Sequence, residues 1–113
     1  MSRNEQERLR DIQDAIAAIR KHLEQASDAT DAMQDPLLHD ALLFQFVVIG
    51  EAVKNLSPER RESASEIPWT DIAGLRDLIA HEYFRIDMHR VLEIVERDLP
   101  PLEQAIDSLL RKV

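Results

Sequence analysis

The segment Gly74-Leu-Arg-Asp-Leu-Ile-Ala-His-Glu-Tyr83 puts Arg76, Asp77, His81 and Tyr83 within eight residues, the densest group of chemistry-bearing side chains in the chain. A guanidinium can hold a phosphate bidentately and stabilise the charge that develops on it in a transition state. An imidazole can take a proton from a ribose 2′-hydroxyl or give one to a leaving oxygen, a role worth about 10²–10⁴-fold in rate. Together they are the parts for cutting RNA without a metal, and DNA, which lacks the hydroxyl, should resist. Asp77 and His81 are four apart and share a helix face, so Asp77 can orient the imidazole and favour its protonated form. Arg76 and Tyr83, seven apart, share another face. Tyr83, the single tyrosine, can stack on a base, donate a hydrogen bond or carry a modification.

Arg76 and His81 lie about 140° apart around a regular helix, so one helix does not aim both at the same atom. Two copies meeting on a twofold axis remove the difficulty, because Arg76 and His81 of each could line one shared cleft. Such a cleft also answers a charge objection. With 14 Lys and Arg against 22 Asp and Glu, the net charge is −8, which repels phosphate backbones at long range, so RNA binding needs a local cationic site.

The elements that must hold these residues are helical. Two glycines, one Trp, one Tyr and three Phe in 113 residues are too few aromatic and turn-forming residues for a sheet protein. The length suits one domain over 1–113. At 44% hydrophobic and 32% charged the chain should be globular, and without cysteine it has no disulfide, thiolate metal site or cysteine nucleophile. The charged start MSRNEQERLRD, and apolar runs short of the ~20 residues that cross a bilayer, point to a cytoplasmic protein without membrane contact.

Ser2-Arg3-Asn4-Glu5 has the form of a capping box before a first helix with Leu9, Ile12, Ile16, Ile19 and Leu23 on one stripe. Asp35-Pro36 opens a second helix, apolar nearly all round from Leu37 to Leu56 and so buried on several sides, which again calls for a second subunit. PERRESASEIP reads as a polar connection with room for a helical turn. Trp69, a packing anchor, starts the third helix with Ile72, Leu75, Leu78 and Ile79. Asp87 caps a fourth, which Pro100-Pro101 bends or interrupts before Leu102. The sum is an up-and-down bundle of four or five helices, homodimeric. Gly50 and Gly74 fall inside helices, where each costs about 1 kcal/mol relative to Ala, so close helix contact is expected at both.

Other candidates are weaker. His22, His39 and His89 have no ligand-like spacing to carboxylates and read as surface residues, with no metal or cofactor implied. Lys54, Arg60 and Arg61 form a small basic patch flanked by Glu59 and Glu62, read as solvated face. Taken one by one, Arg76, Asp77, His81 and Tyr83 also fit a solvated helix face.

The spacing Arg76, four residues, His81, one residue, Tyr83 resembles the R-x4-H-x-Y signature of the HepT-like toxins of the HEPN superfamily. Ile49-Gly50-Glu51-Ala52-Val53-Lys54, Ile67-Pro68-Trp69, Ile72-Ala73-Gly74, Phe84 with Asp87, and VLEIVERDLP from Val91 to Pro100 extend the resemblance over nearly the whole chain. It implies an all-α HEPN bundle that dimerises, with Arg76 and His81 of both subunits forming a composite, metal-independent endoribonuclease site. It also implies a toxin of a type VII-like pair, encoded beside a minimal nucleotidyltransferase antitoxin that neutralises it by binding and by transferring AMP to the motif tyrosine, here Tyr83. Negative phosphate and a bulky adenosine at that place would block RNA by charge and volume. Two positions depart from the pattern: Asp77 stands where Asn is common and Glu82 where Gly is common. Both add negative charge and fit a slow or substrate-restricted nuclease. The alternative is a non-catalytic helical dimer that holds a nucleotidyltransferase or a nucleotide.

Overall fold

A computed structural model describes residues 4–25 and 34–112. These form helices α1 (Glu5–Glu24), α2 (Pro36–Lys54), the short α3 (Pro58–Glu62), α4 (Trp69–Glu82), α5 (Met88–Arg97) and α6 (Leu99–Arg111), with a 3-10 turn over Tyr83–Arg85 and no strand among the described residues. The expected all-α bundle is present, with α3 as an additional turn of helix.

Each start has a chemical reason. The α1 capping box lies two residues later than the sequence suggested: Asn4 Oδ1 accepts from the Glu7 backbone N–H at 2.8 Å, and Glu7 Oε1 accepts from the Asn4 N–H at 3.2 Å. Ser2 is outside the described residues. Asp35 caps α2 through the Leu37 N–H at 2.9 Å, and Asp87 caps α5 through the His89 N–H at 3.0 Å. The last break falls at Asp98, just before the prolines. Pro100 and Pro101 then sit in the first turn of α6, where a missing N–H costs nothing.

α1 buries Leu9, Ile12, Ile16 and Ile19 as its stripe predicts, and these meet Leu42, Phe46, Ile49 and Val53 of α2 and Leu102, Ile106 and Leu109 of α6 in one core. Gln13 to Asp107 (2.9 Å) and Arg20 to Glu103 (2.6 Å) run α6 antiparallel to α1. α2 lies between α1 and α4. It is long and apolar enough to cross a membrane by length and composition, which corrects the expectation that no apolar run comes near that length. Its burial is one-sided, however: Leu37 remains 83% exposed and Phe44 62% exposed.

The basic pair on α3 is a fastening rather than a solvated face. Arg60 Nε lies 2.9 Å from Glu5 Oε2, and Arg61 Nη2 donates to the carbonyls of Lys54 (3.0 Å) and Leu56 (3.1 Å), satisfying the otherwise orphaned end of α2. The Trp69 indole N–H reaches the Arg61 and Ala64 carbonyls, both at 3.0 Å, anchoring the entry to α4 as expected.

Glu5 also accepts from the Ser57 backbone N–H at 2.5 Å, and that bond, with Arg60 beside it, holds its carboxyl below the usual glutamate range. A depressed folded-state pKa contributes stability that is present above the unfolded value and lost as pH falls through the folded one. Urea unfolding of Glu5→Gln should therefore give a midpoint below wild type near neutrality, with the gap closing on acidification. A gap independent of pH would contradict this.

Candidate active site

Gly50 sets the distance between α2 and α4. A Cβ built on it would lie 3.0 Å from both the Cβ and the backbone N of Arg76 and 3.2 Å from the Ile72 carbonyl oxygen, so glycine lets the two helices meet more closely here than a side chain would without α4 giving way. The close approach expected at Gly50 is observed. At Gly74 it is not: nothing lies within 4 Å of a Cβ there, and this glycine borders an open groove of about 790 Å³ between α4 and α5.

α2 and α4 run antiparallel, Gly50 meeting Ile72 and Arg76 while Asp40 meets Tyr83. Two α2 carboxylates thereby face the motif. Arg76 Nε pairs with Glu51 Oε2 at 3.0 Å and its Nη1 with Asp77 Oδ1 at 2.9 Å, the guanidinium staying partly exposed. Asp77 is thus placed on Arg76, and the expected Asp77–His81 contact is not formed. His81 is exposed in the last turn of α4. Among the described residues no hydrogen bond or ion pair joins Arg76, His81 and Tyr83 to one another.

α4 ends at Glu82 and tightens into the 3-10 turn, and Tyr83, like Arg76, faces α2: its hydroxyl donates to Asp40 Oδ1 at 2.5 Å. His39 Nδ1 lies 3.0 Å from the same oxygen, and the His39 ring stands edge-on to Tyr83 at 5.8 Å between centroids. His39 is half-buried against that ring, which corrects its reading as a surface histidine. Asp40, Phe44 and Glu51, at spacings of four and seven, share one face of α2, so the exposed Phe44 ring lies between the two acidic contacts. Phe84, beside Tyr83, is 97% exposed. Sequence reasoning missed Asp40, His39 and Glu51 as partners of the motif. The available signal was Gly50, which marks where α4 crosses α2 and hence which carboxylates flank the crossing. Among the described residues, no three His, Asp or Glu side chains gather so as to hold a metal ion.

The Asp40 carboxylate holds the Tyr83 phenol above its ordinary pKa, and the Tyr83 hydroxyl, followed by His39, holds Asp40 below the usual range. With one tyrosine in the chain, tyrosinate absorbance on alkaline titration reads Tyr83 alone. Asp40→Asn should move that midpoint down toward the ordinary value of about 10. An unchanged midpoint would mean that the contact does not persist in solution.

Residues 12–109 match the family model described as ribonuclease HepT-like. A protein of Caldanaerobacter subterraneus subsp. tengcongensis named as a candidate RNase is 42% identical over 82 residues, 73% of each chain. The probable ribonuclease HepT of Thermococcus cleftensis is 30% identical over 109 residues, 96% of this chain and 98% of that protein. A Methanocaldococcus jannaschii protein whose name joins a gamma-glutamylcyclotransferase to a candidate RNase is 31% identical over 105 residues, 93% of this chain and 47% of its own length. No solved structure matches.

Proposed function

The chain belongs to the HepT-like ribonuclease family, and from that premise we propose that it is a metal-independent endoribonuclease toxin, active as a homodimer in the cytoplasm. In the cleavage step His81 takes the proton of a ribose 2′-hydroxyl, or protonates the departing 5′-oxygen, as the 2′-oxygen attacks phosphorus. Arg76 holds the phosphate and offsets its growing charge. A twofold pairing supplies both groups to one phosphodiester from two α4 helices. The observation that carries this reading is where the groups lie. Arg76, partly exposed, and His81, exposed, lie on α4 without touching one another, and Arg76 pairs with an α2 helix whose Phe44 and Leu37, with Phe84 on the turn, are large apolar side chains left uncovered. A second copy covering that surface would bury them and bring the two α4 helices together.

Regulation in this reading falls to a nucleotidyltransferase antitoxin that binds the toxin and transfers AMP to Tyr83, whose side chain is exposed beside the same surface. The test is incubation of the purified chain with RNA in EDTA, with light scattering to give its mass. Cleavage by a dimer supports the proposal, and intact RNA at large protein excess contradicts it.

One observation favours a second reading, a non-catalytic dimer that holds a nucleotidyltransferase: Glu51 and Asp77 already occupy Arg76, and Glu82 adds charge next to His81. Arg76→Ala separates the two. Loss of partner binding with RNA turnover unaffected supports the second, and loss of turnover supports the first.

A further inference from the structure

An exposed tyrosine hydroxyl can bond to water at no cost, and a solvent-exposed contact to one carboxylate contributes little stability. The Tyr83 contact is nevertheless built from several directions. His39 stands edge-on to its ring at 5.8 Å and 89°, Phe84 edge-on at 5.2 Å and 88°. Its hydroxyl and His39 Nδ1 converge on a single oxygen, Asp40 Oδ1, at 2.5 and 3.0 Å. Held in this way, the ring aims its one nucleophilic atom at a carboxylate while the residue stays open to a second molecule.

We infer that Asp40 is the proton acceptor that makes the Tyr83 hydroxyl a nucleophile toward the α-phosphorus of a nucleoside triphosphate, with His39 orienting the Asp40 carboxylate. The inference rests on the reading of Tyr83 as the residue that receives AMP. In the step the tyrosine oxygen attacks the α-phosphorus, and a new O–P bond forms. The bond from that phosphorus to the oxygen bridging to the β-phosphate breaks, and pyrophosphate leaves. The phenolic proton passes to Asp40 Oδ1 and from there to solvent. Asp40 need not be a strong base, because the hydroxyl turns acidic as its oxygen bonds to phosphorus, and an aspartate accepts the hydroxyl proton in the same way in protein kinases. Like any aspartate of ordinary or lowered pKa, Asp40 is ionised at neutral pH, ready to receive it. His39 donates to Asp40 only when Nδ1 carries its proton.

The experiment incubates the full chain with the product of the neighbouring gene, the place where the proposal expects the nucleotidyltransferase, together with ATP and magnesium, and follows AMP addition by intact mass and peptide mapping between pH 6 and 9. Wild type, Asp40→Asn and Tyr83→Phe are compared, with thermal melting to confirm that each is folded. Wild type should gain AMP on Tyr83, and Tyr83→Phe should gain none there. Asp40→Asn should be modified about 100-fold more slowly near pH 7, its rate then climbing with pH while wild type stays nearly flat. An Asp40→Asn rate equal to wild type, or one slowed by a constant factor at every pH, overturns the inference alone, since the carboxylate then takes no proton. Wild type that gains no mass at Tyr83 overturns the inference together with the reading beneath it.

Discussion

Under the proposed mechanism, replacing His81 with alanine should lower the rate of RNA cleavage by about 10²–10⁴-fold, the range for loss of a general acid or base. The fold should be unaffected, because the imidazole is exposed and makes no hydrogen bond or ion pair with the described residues. Arg76→Ala should lose about 10²–10³-fold through the transition-state charge that it no longer offsets. Arg76→Lys should restore little of that, since an ammonium cannot present two parallel donors to a phosphate. Single-turnover cleavage of an RNA substrate in EDTA, set beside thermal melts of each variant, measures both effects. A His81→Ala protein that cuts at the wild-type rate would remove the imidazole from the mechanism.

Gly50→Val should be the most damaging single change outside the motif. Its first added atom falls 3.0 Å from the backbone N and Cβ of Arg76, and backbone cannot swing aside as a side-chain tip can. α2 and α4 must separate, at a cost of about 1–3 kcal/mol for overpacking. In a domain of this size each kcal/mol lowers the melting temperature by roughly 4–8 °C. The same shift displaces Arg76, and a misplacement near 1 Å can cost about 10²-fold in rate. Gly74→Ala is the contrasting case. With nothing within 4 Å of the new methyl group and about 1 kcal/mol of helix propensity gained, it should be neutral to stabilising in the same melts. Equal behaviour of the two variants would contradict the assigned role of Gly50.

The two glycines also show how far the sequence could be read. Both sit inside helical patterns, and spacing alone gives them the same meaning. Only the crossing of α2 over α4 separates the glycine that permits a contact from the one that borders a groove. The helices themselves were legible, because the caps at Asp35 and Asp87 and the Leu9 to Ile19 stripe are local signals, fixed within one or two turns. The motif residues were legible for the same reason. Their partners were not. Asp40 is 43 positions from Tyr83, and which carboxylate meets a distant side chain depends on helix register, which periodicity does not specify. Asp77 illustrates the limit from the other side: its spacing suited His81, yet the adjacent guanidinium is a permanent charge and draws the carboxylate to itself. α3 misled for a related reason. Arg60 and Arg61 look like solvent-facing cations until the ends of α1 and α2 are placed beside them.

The proposal that two chains complete one active centre has a direct test in mixed dimers. Arg76→Ala and His81→Ala proteins, each inactive alone, are unfolded together, refolded as a mixture and assayed on RNA in EDTA. In a mixed particle one chain retains the imidazole and the other the guanidinium, so a shared cleft should recover cleavage well above either parent and in proportion to the fraction of mixed dimer. Mixtures that form mixed dimers yet stay as inactive as the parents would mean that each centre draws Arg76 and His81 from a single chain, and would contradict the shared centre.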